Sequence, residues 1–120
     1  MPRNRPLLLA AGLLGASGVA LSAAAAHQGV ANVATAATFL LTHAPAFLAL
    51  SLLTGNRLRN VGSWVLLIGL VIFSGDLLAR AYLGTRLFPM AAPSGGVLMI
   101  GGWLAVAASA LIRDKAGLLD

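Results

Sequence analysis

Four long apolar stretches, joined by connections too short to fold by themselves, dominate what this chain can become. They run over about residues 6–26, 30–53, 61–83 and 94–112, and each approaches the ~20 residues that a helix needs to cross a hydrocarbon core. The connections near residues 27–29, 54–60 and 84–93 are short, which makes consecutive helices antiparallel neighbours. The expected fold is an all-α membrane protein, an antiparallel four-helix transmembrane bundle that takes up residues 1–120 as one domain.

Composition agrees. The chain is 59% hydrophobic and only 9% charged, far from the roughly 25% charged residues of a soluble domain. At 120 residues, the spans leave no room for a separate catalytic lobe. The absence of cysteine excludes disulfides, thiolate catalysis and cysteine-held metal clusters. A net charge of +5 would suit nucleic acid, but the cations stand in pairs beside span ends, not along one face. The expected partners are the lipid bilayer and other membrane subunits or further copies of the chain, with no nucleic acid.

The cations also set the orientation. Arg3 and Arg5, Arg57 and Arg59, and Arg113 and Lys115 fall on one side of a four-span chain, against Arg86 on the other. Both termini are therefore expected in the cytoplasm, in a bacterial inner membrane. The basic start and small residues of the first 26 positions have some features of a secretory signal. The apolar run is longer than a signal core, so it reads as a retained span.

Small residues recur at helical spacing, and in lipid such residues let backbones approach and pack. Gly12, Ala16, Ala20 and Ala24 form one ladder in span one, and Gly18, Ser22 and Ala26 a second; Gly101, Ala105 and Ser109 form a third in span four. In span two, Ala31, Thr35, Thr38, Thr42, Pro45 and Ala49 make a small, hydroxylated seam expected to face inward. Trp64, Tyr82 and Phe88 fall near the interfaces, where amphipathic rings concentrate. Trp103 lies deep in span four and reads as a packing residue.

The order of several fragments resembles the bacterial inner-membrane family of domain of unknown function 423, also called YgdD-like. The fragments are GASGVALSAAAAH from Gly15 to His27, His43 before a small apolar run, FSG from Phe73 to Gly75, PSGG from Pro93 to Gly96, and Gly102 with Trp103. Around His43 this chain has Phe39, Leu40, Leu41 and Thr42 where the family more often has further aromatic residues. The resemblance implies a four-helix membrane protein and carries no established activity.

Asp76, with Arg80 four residues later, interrupts the third apolar stretch. Ionisable groups in hydrocarbon are costly and mark a packing device or a functional pathway. At a rise of about 1.5 Å per residue, Asp76 lies ~10 Å from the end of its span, near the depths of Thr35, Thr38, Ser17, Ser22 and Gly101. That arrangement predicts a polar layer around a carboxylate partly neutralised by Arg80. His27 and His43 differ in depth by roughly 20 Å, too far apart to ligate one haem or metal ion. His43 reads as a neutral histidine bonded to a carbonyl or a threonine hydroxyl.

No catalytic residues, cofactor or metal site emerge, and the chain is not expected to be an enzyme. Two function classes remain. One is an accessory or scaffolding subunit, or a self-associating bundle. The other is a small transporter or channel with an intramembrane proton or ion site at Asp76, with His43 as a relay.

Overall fold

A computed structural model describes residues 3–115. Four helices follow one another: α1 Arg5–Gln28, α2 Ala31–Leu52, α3 Arg57–Tyr82 and α4 Ala91–Ser109. All four are long and apolar enough to cross a membrane. Local chemistry sets their ends. Asn4 caps α1, its Oδ1 accepting from the Leu7 N–H at 3.2 Å, and Gly29, at φ 67°, stops it by returning its N–H to the Ala25 carbonyl. Glycine takes this left-handed conformation at no steric cost, and the turn into α2 is correspondingly short.

The third and fourth helices begin earlier than hydropathy alone suggests. Asn56 Oδ1 accepts from the Arg59 N–H at 3.0 Å, so α3 starts at the cap instead of at the first apolar residue. In α4, Pro93 sits in the first turn, where its missing N–H removes no helical bond. At the other end α4 stops at Ser109. The chain then turns so that the Lys115 N–H reaches the Gly55 carbonyl at 2.8 Å.

Among the described residues, helix backbones approach one another in chain order only: α1 with α2, α2 with α3, α3 with α4. The bundle is accordingly flattened, with extents of 49 × 27 × 17 Å. A shared core of Leu7, Leu14, Leu40, Phe47, Leu66, Leu70 and Met99 crosses all four helices. The tightest seam joins α3 to α4. A Cβ at Gly69 would stand 2.7 Å from the Gly95 carbonyl oxygen, one at Gly95 2.6 Å from the Phe73 nitrogen, and one at Gly102 2.7 Å from the Leu66 nitrogen. Lipid supplies no hydrophobic drive for helix association, so backbone contact of this kind is what holds the hairpin.

The small-residue ladders divide between inside and outside. Gly18 is buried, and a Cβ there would meet Leu41 at 2.7 Å; Ser22 is half-buried. Gly12 and Gly101 have nothing within 4 Å of a Cβ position, and Ala16 is exposed. In span four the packing glycines are Gly95 and Gly102, the latter a neighbour of the expected Gly101 and about 100° further round the helix.

The α2 seam points away from the chain, in place of the inward face expected of it. Ala31, Thr35, Thr38, Thr42, Pro45 and Ala49 are all exposed, and the buried face is instead Val33, Ala36, Ala37, Leu40, Phe47 and Leu50. Two of the three hydroxyls need no neighbour for this. Thr38 Oγ1 donates to the Ala34 carbonyl at 3.0 Å and Thr42 Oγ1 to the Phe39 carbonyl at 3.2 Å, so those polar atoms are satisfied within their own helix. The bulky apolar side chains fill the space between helices.

Candidate functional site

The carboxylate at Asp76 is fully buried. It lies on the α3 stripe that meets α4. Gly69 abuts Met99 and Gly95 abuts Phe73, a register that carries Asp76 to the level of the first turn of α4. A negative charge is favoured beside a helix N-terminus, where unpaired N–H groups and the helix dipole present positive charge.

Two groups bind the carboxylate directly. Oδ1 accepts from the Leu87 N–H at 2.9 Å, a backbone group of the α3–α4 loop. Oδ2 lies 2.9 Å from Arg80 Nη2, though without the alignment of a hydrogen bond, and the Arg80 Nε has no partner either. The Arg80 side chain is 34% exposed, so one end of the pair is sealed and the other reaches outward. The Leu87 side chain rests against Gly75, where a Cβ would stand 3.2 Å from Leu87 Cδ1. Asp76 therefore pins an irregular loop onto the helix pair and supplies the acceptor for one of its part-buried amides.

The expected polar layer does not assemble around it. Thr35 and Thr38 face outward on α2, and the polar groups bonded to Asp76 come from its own helix and the loop that follows. That loop amide is a backbone group carrying no side-chain signature, so residue types alone do not reveal it.

His43 belongs to a separate cluster. Trp103 Nε1 lies 3.2 Å from His43 Nε2, and His43 Nδ1 lies 2.8 Å from the Phe39 carbonyl. Indole N–H is only a donor and a carbonyl only an acceptor, so Nε2 accepts and Nδ1 carries the proton. This is the neutral imidazole with both nitrogens occupied. Phe39 stacks on His43 at a ring separation of 6.1 Å and packs on Phe73 at 4.8 Å. Aromatic rings thus occupy the ground between His43 and the α3 stripe that bears Asp76, and no chain of hydrogen bonds joins the two groups among the described residues. Trp103, 42% exposed, bridges α4 to α2 in addition to packing.

At the opposite end of the bundle a third polar group escaped sequence reasoning. Arg59 holds Asp114 through two contacts, Nη1 to Oδ1 and Nη2 to Oδ2, each at 3.0 Å. Asn56 Nδ2 donates to the same Oδ1 at 2.9 Å and to the Ser109 carbonyl at 3.0 Å. The Arg59 bonds, followed by that of Asn56, hold the Asp114 carboxyl below its ordinary value. The partners are more than fifty positions apart in the chain, and only the Asn56 cap left a local signal.

The family model described as "Protein of unknown function (DUF423)" matches residues 8–96. A UPF0382 membrane protein of Staphylococcus saprophyticus is 34% identical over 103 residues, covering 84% of each chain. One from Staphylococcus epidermidis is 31% identical over 110 residues, 90% of this chain and 88% of its own. One from Haemophilus influenzae is 33% identical over 115 residues, 88% of this chain and 92% of its own. No solved structure matches the chain.

Proposed function

We propose that this chain, which belongs to the DUF423 family of multi-pass membrane proteins, serves as a non-catalytic accessory or scaffolding subunit, packing against other membrane helices. One observation carries the reading: the two strongest intramembrane polar candidates bond within the chain. Asp76 is used by Leu87 and Arg80, and His43 by Phe39 and Trp103. A transport site needs groups that exchange partners with a moving solute. The exposed α2 positions Ala31, Thr35, Thr38 and Thr42 and the open Gly101 position supply surfaces on which another helix can come close.

Purification from native membranes in mild detergent is expected to yield a larger complex or a stable homo-oligomer. Reconstituted vesicles are expected to show no solute or proton flux that depends on the chain. A lone monomer that supports such flux would make it a transporter and end the scaffold reading.

The same proposal places both ends in the cytoplasm of a bacterial inner membrane, from the cations gathered at the end that holds Arg3, Arg5, Arg57 and Arg113. Single cysteines at the exposed positions His27 and Leu83 should react with an impermeant thiol reagent in whole cells or spheroplasts, and one at Leu111 should not. Labelling at Leu111 with protection at His27 would invert the topology.

A further inference from the structure

An open apolar groove of about 470 Å³ runs along the surface between α1 and α2, lined among others by Leu8, Gly12, Gly15, Val19, Pro45 and Leu48. It exists because the residues at its floor are small. A Cβ at Gly12 would meet nothing within 4 Å, and one at Gly15 would meet only Ala44 Cβ, at 3.7 Å. From Leu8 to Val19 the groove follows α1 for ~16 Å at 1.5 Å per residue. That is about half of a ~30 Å hydrocarbon core, the depth of one leaflet. A transmembrane helix lying against this face would cross both leaflets, whereas an acyl chain ends where the groove ends.

The charged end of the groove points to the headgroup. Arg5, Leu8, Gly12, Gly15 and Val19 follow one another at intervals of three and four, so Arg5 stands on the groove stripe one turn beyond its last apolar residue. Arg3 and Arg5 are exposed, and the first turn of α1 contains no acid. Among the described residues the acids Asp76 and Asp114 are taken by Arg80 and Arg59, leaving Arg3 and Arg5 without an ion pair.

We propose that this groove is a binding site for an anionic phospholipid, with an acyl chain lying between α1 and α2 and the phosphate held at Arg3 and Arg5. The site is independent of the scaffolding role and would stand if that role failed. The test is retention of phosphatidylglycerol or phosphatidylcholine of identical acyl chains by the detergent-purified protein, read by native mass spectrometry together with the protein's oligomeric mass.

Wild type should retain phosphatidylglycerol in preference. Each of Arg3→Gln and Arg5→Gln should cut that preference about fivefold, the effect of one cation near an anionic headgroup. Gly12→Leu, whose Cβ would meet nothing within 4 Å and whose side chain would occupy part of the groove, should lower retention of both lipids. Ala16→Leu, exposed and outside the groove, should leave retention unchanged. Equal retention of the two lipids by wild type overturns the proposal, as does wild-type retention by Gly12→Leu. A Gly12→Leu protein that loses oligomeric mass while keeping its lipid overturns it too, making the groove a contact between copies. The arginine variants alter exposed side chains and keep the test decisive should Gly12→Leu fail to fold.

Discussion

Gly95→Leu is expected to be among the most damaging single substitutions in the chain, lowering stability by about 3 kcal/mol or more and preventing the α3–α4 hairpin from closing in its present register. The Cβ alone would stand 2.6 Å from the Phe73 nitrogen and 2.7 Å from the Gly69 carbonyl oxygen. Both are backbone atoms, which cannot rotate aside as a side chain can. Relief requires the two helices to separate, and separation gives up the dispersion contacts along the whole seam, which lipid does not replace with a hydrophobic term. Gly102→Leu should behave alike, because a Cβ there meets Leu66 nitrogen at 2.7 Å.

The neighbouring positions supply the controls. Gly96 and Gly101 have nothing within 4 Å of a Cβ position, and leucine favours the helix over glycine by just under 1 kcal/mol. Gly96→Leu and Gly101→Leu should therefore be neutral or slightly stabilising. Thermal unfolding in mild detergent separates the two classes. Equal midpoints for Gly95→Leu and Gly101→Leu would mean that the helices do not approach as closely as described.

The contrast between Gly101 and Gly102 shows where sequence reasoning reaches its limit. The existence and order of the four helices were legible because span length is imposed by bilayer thickness, and the antiparallel hairpins were legible because the connections are short. Facing was not. A soluble helix announces its buried side by apolar side chains, but a helix in lipid is apolar all round, so the outward Thr35 and Thr38 and the inward Val33 and Phe47 carry no contrast that a periodicity could exploit. Thr38 and Thr42, which bond to their own helix, weaken even the polar signal. The same holds for partners. Asp76 and Arg80 could be paired by their spacing, whereas the Leu87 amide, the Trp103 bond to His43 and the Asp114 bond to Arg59 depend on the fold bringing together atoms far apart in the chain.

The burial of Asp76 leads to an asymmetric result for its ion pair. Asp76→Leu removes the acceptor for the Leu87 N–H and the counter-charge of Arg80, and breaking a buried pair from one side costs about 3–5 kcal/mol. Arg80 is 34% exposed and can move its guanidinium toward the interface, which places the loss at the lower end, about 3 kcal/mol. Arg80→Leu should be worse, because it leaves a fully buried carboxylate that has no route to water. The double variant should recover part of either loss, since it removes the unpaired charge and leaves chiefly the loop amide unsatisfied. Asp76→Asn keeps an oxygen for Leu87 and should cost only about 1 kcal/mol. Unfolding midpoints of the four variants in one detergent test this order. If Asp76→Leu matches wild type, the carboxylate does not anchor the loop. If Asp76→Asn keeps wild-type stability yet abolishes a proton or ion flux that wild-type vesicles support, then Asp76 serves a transport pathway and its contact with Leu87 is incidental.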